Sequence, residues 1–259
     1  MKRMIELLSL EGRAALVTGG AGHIGSAAAA TLTELGARVA VLDRQDALER
    51  ADTSEHVLIP CDLQSSEQTR SAVRDAISQL GGLDVIVHSA AFVGTTESPG
   101  WAVDFESQSA EAWDAAMAVN VRSAFVLAQE ARDALCRSGS GSIILISSIY
   151  GLVGPDDRLY QGTSMANPMA YGASKAALVQ LTRALATRLA PAVRVNALSP
   201  GGVLRGQPAQ FQQRYCDRVP LGRMATEQDL MGAVAYLASD MSAYVTGHNL
   251  VVDGGWTTW

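Results

Sequence analysis

The sequence contains little cysteine and histidine and fewer basic than acidic residues. Its cysteines, Cys61, Cys136 and Cys216, are odd in number and widely spaced, and the four histidines do not pair with them at the spacing of metal ligands. We therefore expect a cytoplasmic protein without a metal site. The 20 Lys and Arg residues are scattered, and the net charge is −6, so a nucleic-acid partner is not expected.

Long hydrophobic runs are also missing. No window reaches the roughly 18 uninterrupted apolar residues that a membrane-spanning helix needs. The apolar start, residues 1–10, is broken by Glu6 and is not followed by a small-residue cleavage site, so we expect neither a signal peptide nor a membrane partner. With 48% hydrophobic and 18% charged residues, the chain has enough apolar material to fold around a core.

Short apolar runs alternate with helical patterns along the whole chain. Strands are predicted at residues 14–18, 38–42, 56–59, 84–88, 142–147, 193–198 and 250–252. Helices are predicted at residues 23–35, 65–80, 110–135, 169–189 and 228–238. This alternation, without repeats or long linkers, predicts an α/β fold: one doubly wound Rossmann-type domain over residues 1–259, with a parallel seven-stranded sheet and helices on both faces.

A glycine-rich turn follows the first predicted strand. Gly19, Gly22 and Gly25 lie where glycines allow the backbone to approach a pyrophosphate at a helix N-terminus. Asp43 ends the second strand, where a carboxylate can bind the adenosine ribose and repel a 2′-phosphate. Arg44 could instead bind that phosphate, so the sequence favours NAD and leaves NADP as the alternative.

Tyr171 and Lys175 are four residues apart in a predicted helix, so their side chains share one face. A free tyrosine has a pKa near 10, and a cation that favours the phenolate is needed for proton transfer at neutral pH. Ser148 follows the fifth strand, and its hydroxyl can hold a substrate oxygen beside the tyrosine. A tyrosine and a lysine four residues apart are common on helix surfaces and would not by themselves indicate a site. The combination of this pair with Ser148 indicates acid/base chemistry.

The order of these motifs resembles that of the short-chain dehydrogenases/reductases. The matching segments are Gly19-x-x-Gly22-x-x-Gly25, Val119-Asn120-Val121, Ser148, Tyr171-Gly172-Ala173-Ser174-Lys175, Arg194-Val195-Asn196, Pro200-Gly201 and Val251-Val252-Asp253-Gly254-Gly255. The resemblance implies interconversion of a secondary alcohol and a ketone, in a homodimer or homotetramer. It implies that Tyr171 is the acid/base, Lys175 lowers its pKa and binds the nicotinamide ribose, Ser148 orients the carbonyl and Asn120 holds a water.

The resemblance also implies a set of cofactor contacts. These are Gly19, Gly22, His23, Ile24, Gly25, Asp43, Arg44, Asp62, Leu63, Ser89, Ala90, Ala91, Tyr171, Lys175, Pro200, Gly201 and Val203. Two positions depart from the family pattern: His23 stands where glycine is common, and Val87-His88-Ser89-Ala90-Ala91 replaces the usual Asn-Asn-Ala-Gly. Either histidine could be an extra acid/base group, but a structural or phosphate-proximal role is favoured.

Ser148 and Tyr171 are 23 positions apart, farther than the family usually shows, which indicates an inserted loop. Residues 152–168, like residues 94–108, have weak periodicity and are expected to flank the ligand crevice. We expect the inserted loop to face substrate; a solvated loop or subunit contact is the alternative. Candidate substrate residues are Tyr150, Arg158, Tyr160 and Arg205, with Arg214 as a further cation for an anion.

Residues 147–151, 160–163, 167–168 and 200–215 are similar to oxidoreductases of bacterial surface-sugar and legionaminic acid pathways, which suggests a sugar, sugar phosphate or polyol as substrate. Two other functions stay open. A 3-oxoacyl thioester reductase would need a basic surface for an acidic carrier protein, and the acidic composition argues against it. A catalytically silent dinucleotide-sensing protein is the alternative outside enzymes, but it would not need Ser148, Tyr171 and Lys175.

Overall fold

The computed structural model describes residues 3–51, 55–93, 96–163 and 165–259. Three of the segments discussed above reach beyond these limits: residues 1 and 2 of the N-terminal segment, residues 94 and 95 of the first loop and residue 164 of the second lie outside the described residues. Within the described ranges, no helix is both long and apolar enough to cross a bilayer.

Seven strands form one parallel sheet, which confirms the predicted fold. They are β1 (Ala14–Thr18), β2 (Arg38–Asp43), β3 (Val57–Pro60), β4 (Val85–His88), β5 (Gly141–Ile146), β6 (Val193–Pro200) and β7 (Asn249–Val252). Their order across the sheet is β3-β2-β1-β4-β5-β6-β7. The direction of winding reverses between β1 and β4, and a ligand crevice forms at the carboxyl ends of the strands at such a point.

Helices cover both faces of the sheet. They are α1 (Met4–Leu8), α2 (His23–Glu34), α3 (Gln45–Leu48), α4 (Ser66–Leu80), α5 (Ala110–Met117), α6 (Ser123–Ser138), α7 (Met169–Leu189), α8 (Ala209–Cys216) and α9 (Gln228–Ala238). On one face, α4, α6 and α7 pack Leu80, Leu127 and Leu178 into the core. On the other, α2 and α9 contribute Leu32 and Leu237. The near-continuous apolar strands are buried between these two layers.

One predicted helix is interrupted. The sequence predicts a continuous helix over residues 110–135, whereas a π turn at Ala118–Arg122 separates α5 from α6. A π turn inserts one extra residue into an α-helix and is frequent at functional sites. Apolar periodicity does not detect it, because the same faces of α5 and α6 remain buried.

Three helices were not predicted from the sequence: α1, α3 and α8. The first two are only five and four residues long, too short for a periodic pattern to be recognised. Helix α8 is amphipathic but short, and it buries Phe211 and Tyr215 in a separate cluster beyond the end of the sheet. That cluster connects α8 to the inserted loop.

Candidate active site

The glycine-rich turn allows two backbone segments to approach each other closely. Gly19 has a positive φ of 67°, and a Cβ atom there would lie 2.6 Å from Cα of Ala90. At Gly25, in the first turn of α2, a Cβ atom would lie 2.0 Å from the carbonyl oxygen of Gly19. Side chains at these positions would displace the backbone. The turn therefore leaves the N-terminus of α2 open to a pyrophosphate.

A cleft of about 850 Å³ extends from this turn. The predicted cofactor residues among its lining are Gly19, Gly22, His23, Ile24, Gly25, Asp43, Arg44, Asp62, Leu63, Ser89, Ala90 and Ala91. Residues that the sequence did not predict as contacts also line it, among them Ala21, Cys61, Gln64, Phe92, Glu97 and Ala115. These residues belong to no recognisable motif, and most of them are sequence neighbours of a residue that was predicted to contact the cofactor. The size, the glycine cradle and the open helix end fit a dinucleotide.

Five predicted cofactor contacts, Pro200, Gly201, Val203, Tyr171 and Lys175, are not among the residues that line this cleft. Pro200 ends β6, and Val203 forms an isolated bridge with Ala225. Gly201 borders a separate cavity of about 120 Å³. Their predicted contacts with the nicotinamide part of the cofactor stay predictions.

Asp43 and Arg44 both line the cleft, next to the glycine-rich turn. The Asp43 carboxylate accepts hydrogen bonds from the backbone N–H of Ala21 at 3.1 Å and of Arg44 at 2.8 Å. The Arg44 guanidinium lies 3.5 Å from Asp46 at the surface. The negative charge is thus fixed at the glycine-rich turn, while the neighbouring positive charge is directed to another carboxylate.

Ser148, Tyr171 and Lys175 are brought together at the inner side of α7. Ser148 follows β5, and its hydroxyl hydrogen-bonds the Tyr171 phenol. Lys175 Nζ lies 5.6 Å from the centre of the Tyr171 ring and donates to the carbonyl oxygen of Ile146 at 2.9 Å. The three side chains predicted from spacing therefore share one site, where hydroxyl, phenol and amine can take part in proton transfer.

The ionisation of these groups is governed by burial. Burial raises the pKa of Tyr171 above its usual value, whereas the hydrogen bond from Ser148 and the charge of Arg205 lower it. Burial lowers the pKa of Lys175 to about 7. In the protein alone, the phenol is protonated at neutral pH and can donate a proton.

Asn120 lies in the π turn, and its amide is held by two protein contacts. Nδ2 donates to Ser174 Oγ at 2.8 Å, and Oδ1 accepts from the backbone N–H of Phe92 at 2.7 Å. Asn120 is fully buried. The amide therefore connects α7 to the wall of the cleft, and its predicted role in holding a water is untested.

The two histidines considered as extra acid/base groups have different positions. His23 begins α2 and lines the cleft, with Nδ1 3.9 Å from Glu227. His88 is 1% exposed, and burial, together with the charge of Lys175, lowers its pKa to about 4. His88 is thus neutral and inaccessible to substrate, as the structural interpretation requires.

Tyrosine hydroxyls from two segments meet near Tyr171. Tyr150 and Tyr171 are in edge contact with ring centres 6.5 Å apart. The Tyr150 hydroxyl lies 2.9 Å from that of Tyr160, which also accepts from Asn167 Nδ2 at 3.2 Å. Since Tyr160 and Asn167 belong to the inserted loop, this loop contributes polar groups next to the catalytic tyrosine.

The inserted loop is anchored to the body of the protein at several of its residues. Arg214 of α8 donates to the carbonyl oxygens of Arg158, Leu159 and Gln161. Asp156 forms an ion pair with Arg218, and Leu159 is buried against α8. Helix α8 therefore fixes part of this segment, and whether the loop faces substrate, solvent or another subunit stays a prediction.

The candidate anion-binding arginines are already engaged. Arg158 pairs with Asp156 at 2.8 Å with its side chain 78% exposed, and Arg214 binds the loop carbonyls. Neither is among the residues that line the cleft, so neither is placed to meet an anion there. Arg205 does line the cleft, and it pairs with Glu227 at 3.0 Å. Of the three, Arg205 is positioned beside Tyr171.

Comparisons with known proteins agree with this geometry. A family model described as enoyl-(acyl carrier protein) reductase matches residues 19–257. A 2,5-dichloro-2,5-cyclohexadiene-1,4-diol dehydrogenase of Sphingobium indicum is 31% identical over 96% of this chain and 97% of its own length. A protein of Rhizobium meliloti named "Probable galactose dehydrogenase" is 32% identical over 95% of each chain.

Two solved structures have the same fold. A short-chain dehydrogenase from Leptospira borgpetersenii with bound NAD⁺ superposes with a TM-score of 0.86, at 31% identity over 99% of this chain and 96% of that one. The NADPH-dependent 3-quinuclidinone reductase of Rhodotorula rubra gives a TM-score of 0.83, at 28% identity over 100% and 96%. The two neighbours differ in the dinucleotide that their descriptions name.

Proposed function

The chain belongs to the short-chain dehydrogenase/reductase family of oxidoreductases, which act on CH–OH groups, and we propose that it interconverts a hydroxyl and a ketone on a sugar, sugar phosphate or polyol with NAD. The observation that carries the proposal is the convergence of Ser148, Tyr171 and Lys175 on one site, together with a cleft of dinucleotide size lined by Arg205, whose charge acts on Tyr171. The sugar phosphates of bacterial surface-sugar pathways fall within this class.

The chemistry assigns one role to each side chain. When bound, the nicotinamide ring supplies the hydride for reduction or accepts it in oxidation. Ser148 orients the substrate oxygen by a hydrogen bond. Tyr171 donates its phenolic proton to that oxygen in reduction and removes the proton in oxidation. The charge of Arg205 favours the phenolate of Tyr171, and Lys175, when it is protonated, is assigned the same role as the nearby cation on α7.

The preference for NAD rests on the fixed carboxylate of Asp43. We expect Asp43→Asn to weaken the discrimination against NADP by about ten- to a hundredfold, because a like charge no longer faces the 2′-phosphate. Titration of both reduced dinucleotides by fluorescence measures the effect. Glu49→Gln removes the same charge at the residue that caps α3, outside the cleft lining, and is the matched control. If the ratio of the NADH and NADPH dissociation constants is unchanged in the Asp43 variant, Asp43 does not determine the preference for NAD.

The proposal of a hydroxyl-rich substrate rests on the groups around Tyr171. Tyr150, Tyr160 and Asn167 bring hydroxyl and amide groups together near it. Tyr171 also packs against an apolar cluster that contains the buried Trp101, and Phe92, which lines the cleft, packs against the same cluster. A sugar ring has both an apolar face and a set of hydroxyls, so it suits a site with apolar and polar groups close together. The relative named as a galactose dehydrogenase supports the same class.

Tyr160→Phe tests whether the polar groups near Tyr171 bind substrate hydroxyls. Loss of its hydroxyl is expected to lower kcat/KM for a polyhydroxylated ring by about tenfold, since a site built to bond a substrate hydroxyl is left with unpaired groups. A ring alcohol with one hydroxyl should change by less than about threefold. Tyr236→Phe, on α9, is the control. Equal losses on both substrates would show that Tyr160 acts on packing alone.

The reaction itself is tested by following NADH absorbance with NAD and a panel of sugars, sugar phosphates, nucleotide sugars, polyols and 3-hydroxyacyl thioesters. Turnover on a sugar-type substrate is the expected result. Turnover confined to thioesters would favour the second candidate, an acyl-thioester reductase, for which the description of the matching family model is the supporting observation. Firm NADH binding without turnover on any class would indicate the dinucleotide-sensing alternative.

A further inference from the structure

His88 is a buried titratable side chain that the proposed mechanism does not use. It ends β4, next to the glycine-rich turn that follows β1. Its Nδ1 lies 2.8 Å from Thr18 Oγ1, and its Nε2 lies 3.2 Å from the carbonyl oxygen of Asn120 and 3.3 Å from Ser123 Oγ. One imidazole thus contacts both the cofactor turn and the π turn.

The direction of these hydrogen bonds follows from the groups involved. The carbonyl of Asn120 can only accept, so Nε2 carries the proton. Nδ1 of the neutral ring is then an acceptor, and the Thr18 hydroxyl donates to it. Thr18 Oγ1 in turn accepts from the backbone N–H of Ala90 at 3.4 Å. All donors and acceptors are matched only in this tautomer.

The carbonyl that His88 binds belongs to the π turn. In this turn the N–H of Ser123 bonds to the carbonyl of Ala118, five residues earlier, so neighbouring carbonyls are open to side-chain donors. Val119 accepts from the Ser123 hydroxyl, and Asn120 accepts from His88. Two side chains therefore support the extra residue that the turn contains.

The π turn sets the direction of the Asn120 amide. Nδ2 of Asn120 donates to Ser174 Oγ, and the Ser174 hydroxyl donates to the carbonyl oxygen of Tyr171 at 2.8 Å. Ser174 immediately precedes Lys175 on α7. Hydrogen bonds thus link Thr18, which precedes Gly19, to the Asn120 backbone through His88, and the Asn120 side chain continues the link to the catalytic helix.

We propose that His88 is a positioning residue that couples the glycine-rich cofactor turn to the helix carrying Tyr171 and Lys175, by holding the Asn120 carbonyl in the π turn. Its two nitrogens have separable tasks. The Nδ1 side supports the cofactor turn, and the Nε2 side supports the catalytic helix.

Two variants separate these tasks. In His88→Asn, an amide oxygen can replace Nδ1 opposite Thr18, but the side chain is too short to reach Asn120. We expect kcat to fall by about ten- to a hundredfold, since a buried acceptor loses its partner, with the NADH dissociation constant within about threefold of wild type. His88→Gln places an amide donor near Nε2 and should recover most of kcat. His56→Asn, at a histidine that contacts Thr33, is the control.

Other readouts need no substrate. We expect ¹⁵N NMR to find His88 as the Nε2–H tautomer, and amide hydrogen exchange of residues 118–123 and 171–175 to be faster in His88→Asn and restored in His88→Gln. An Nδ1–H tautomer, or exchange that is unchanged in His88→Asn, would overturn the proposal. So would parallel losses of kcat and NADH affinity in both variants. The kcat measurement rests on the proposed function, whereas the NMR and exchange measurements do not, so the two can fail separately.

Discussion

Tyr171→Phe is expected to lower kcat by about 10²- to 10⁴-fold in either direction of the reaction, the range that a positioned acid/base group contributes. The substitution removes one hydroxyl and keeps the ring that packs against Trp101 and Ala170. The fold and the cleft should therefore persist, and NADH should bind within about threefold of wild type, since only one hydrogen-bonding group is lost. Initial rates from NADH absorbance and a parallel fluorescence titration measure the two quantities.

Tyr244→Phe, at a fully exposed tyrosine, is the control for this substitution. A Tyr171→Phe protein that keeps more than about a tenth of wild-type kcat would assign proton transfer to another group. Ser148 would then be the next candidate, because its hydroxyl already contacts the phenol. Loss of turnover with intact NADH binding separates a missing proton donor from a damaged cofactor site.

Gly25→Ala is expected to weaken NADH binding by more than about a hundredfold. The added Cβ atom would lie 2.0 Å from the Gly19 carbonyl oxygen and 2.6 Å from its carbonyl carbon. Both are backbone atoms of the cofactor turn, so the clash can be relieved only by moving the turn or α2. Such overpacking costs about 1–3 kcal/mol in stability. Fluorescence titration of NADH and the thermal unfolding midpoint measure both consequences.

Gly232→Ala is the matched control. Gly232 lies within α9, and a Cβ atom there would meet nothing within 4 Å. Alanine is favoured over glycine inside a helix by about 0.5–1 kcal/mol, so this variant should be slightly more stable and bind NADH normally. Wild-type NADH affinity in Gly25→Ala would mean that the pyrophosphate does not use this turn.

The sequence predicted the regular part of the molecule well. Each strand expected from an apolar run is present in the sheet, with ends displaced by one or two residues. The reason is that a strand buried on both faces needs a continuous apolar segment, and such a segment is recognisable from the sequence alone. The positions of Asp43 and Ser148 at the carboxyl ends of strands followed from the same pattern.

Irregular segments were beyond such prediction. The spacing of apolar residues does not reveal the π turn at Asn120. Two of its carbonyl oxygens bond to His88, 32 residues from Asn120, and to Ser123, and neither residue stands in a pattern that predicts such a bond. The same holds for the inserted loop. Its anchoring depends on Arg214 and Arg218, more than fifty residues away in the chain.

The sequence by itself determined the order of strands and helices, the cofactor turn and the spacing of Ser148, Tyr171 and Lys175, because these depend on local periodicity and short motifs. Only the tertiary structure decided which polar groups meet. It placed Tyr160 against Tyr150, directed Arg158 to Asp156 and Arg205 to the cleft, and joined His88 to Asn120. Neither apolar periodicity nor a short motif specifies these pairings, because a buried polar group takes whichever partner the fold brings within reach.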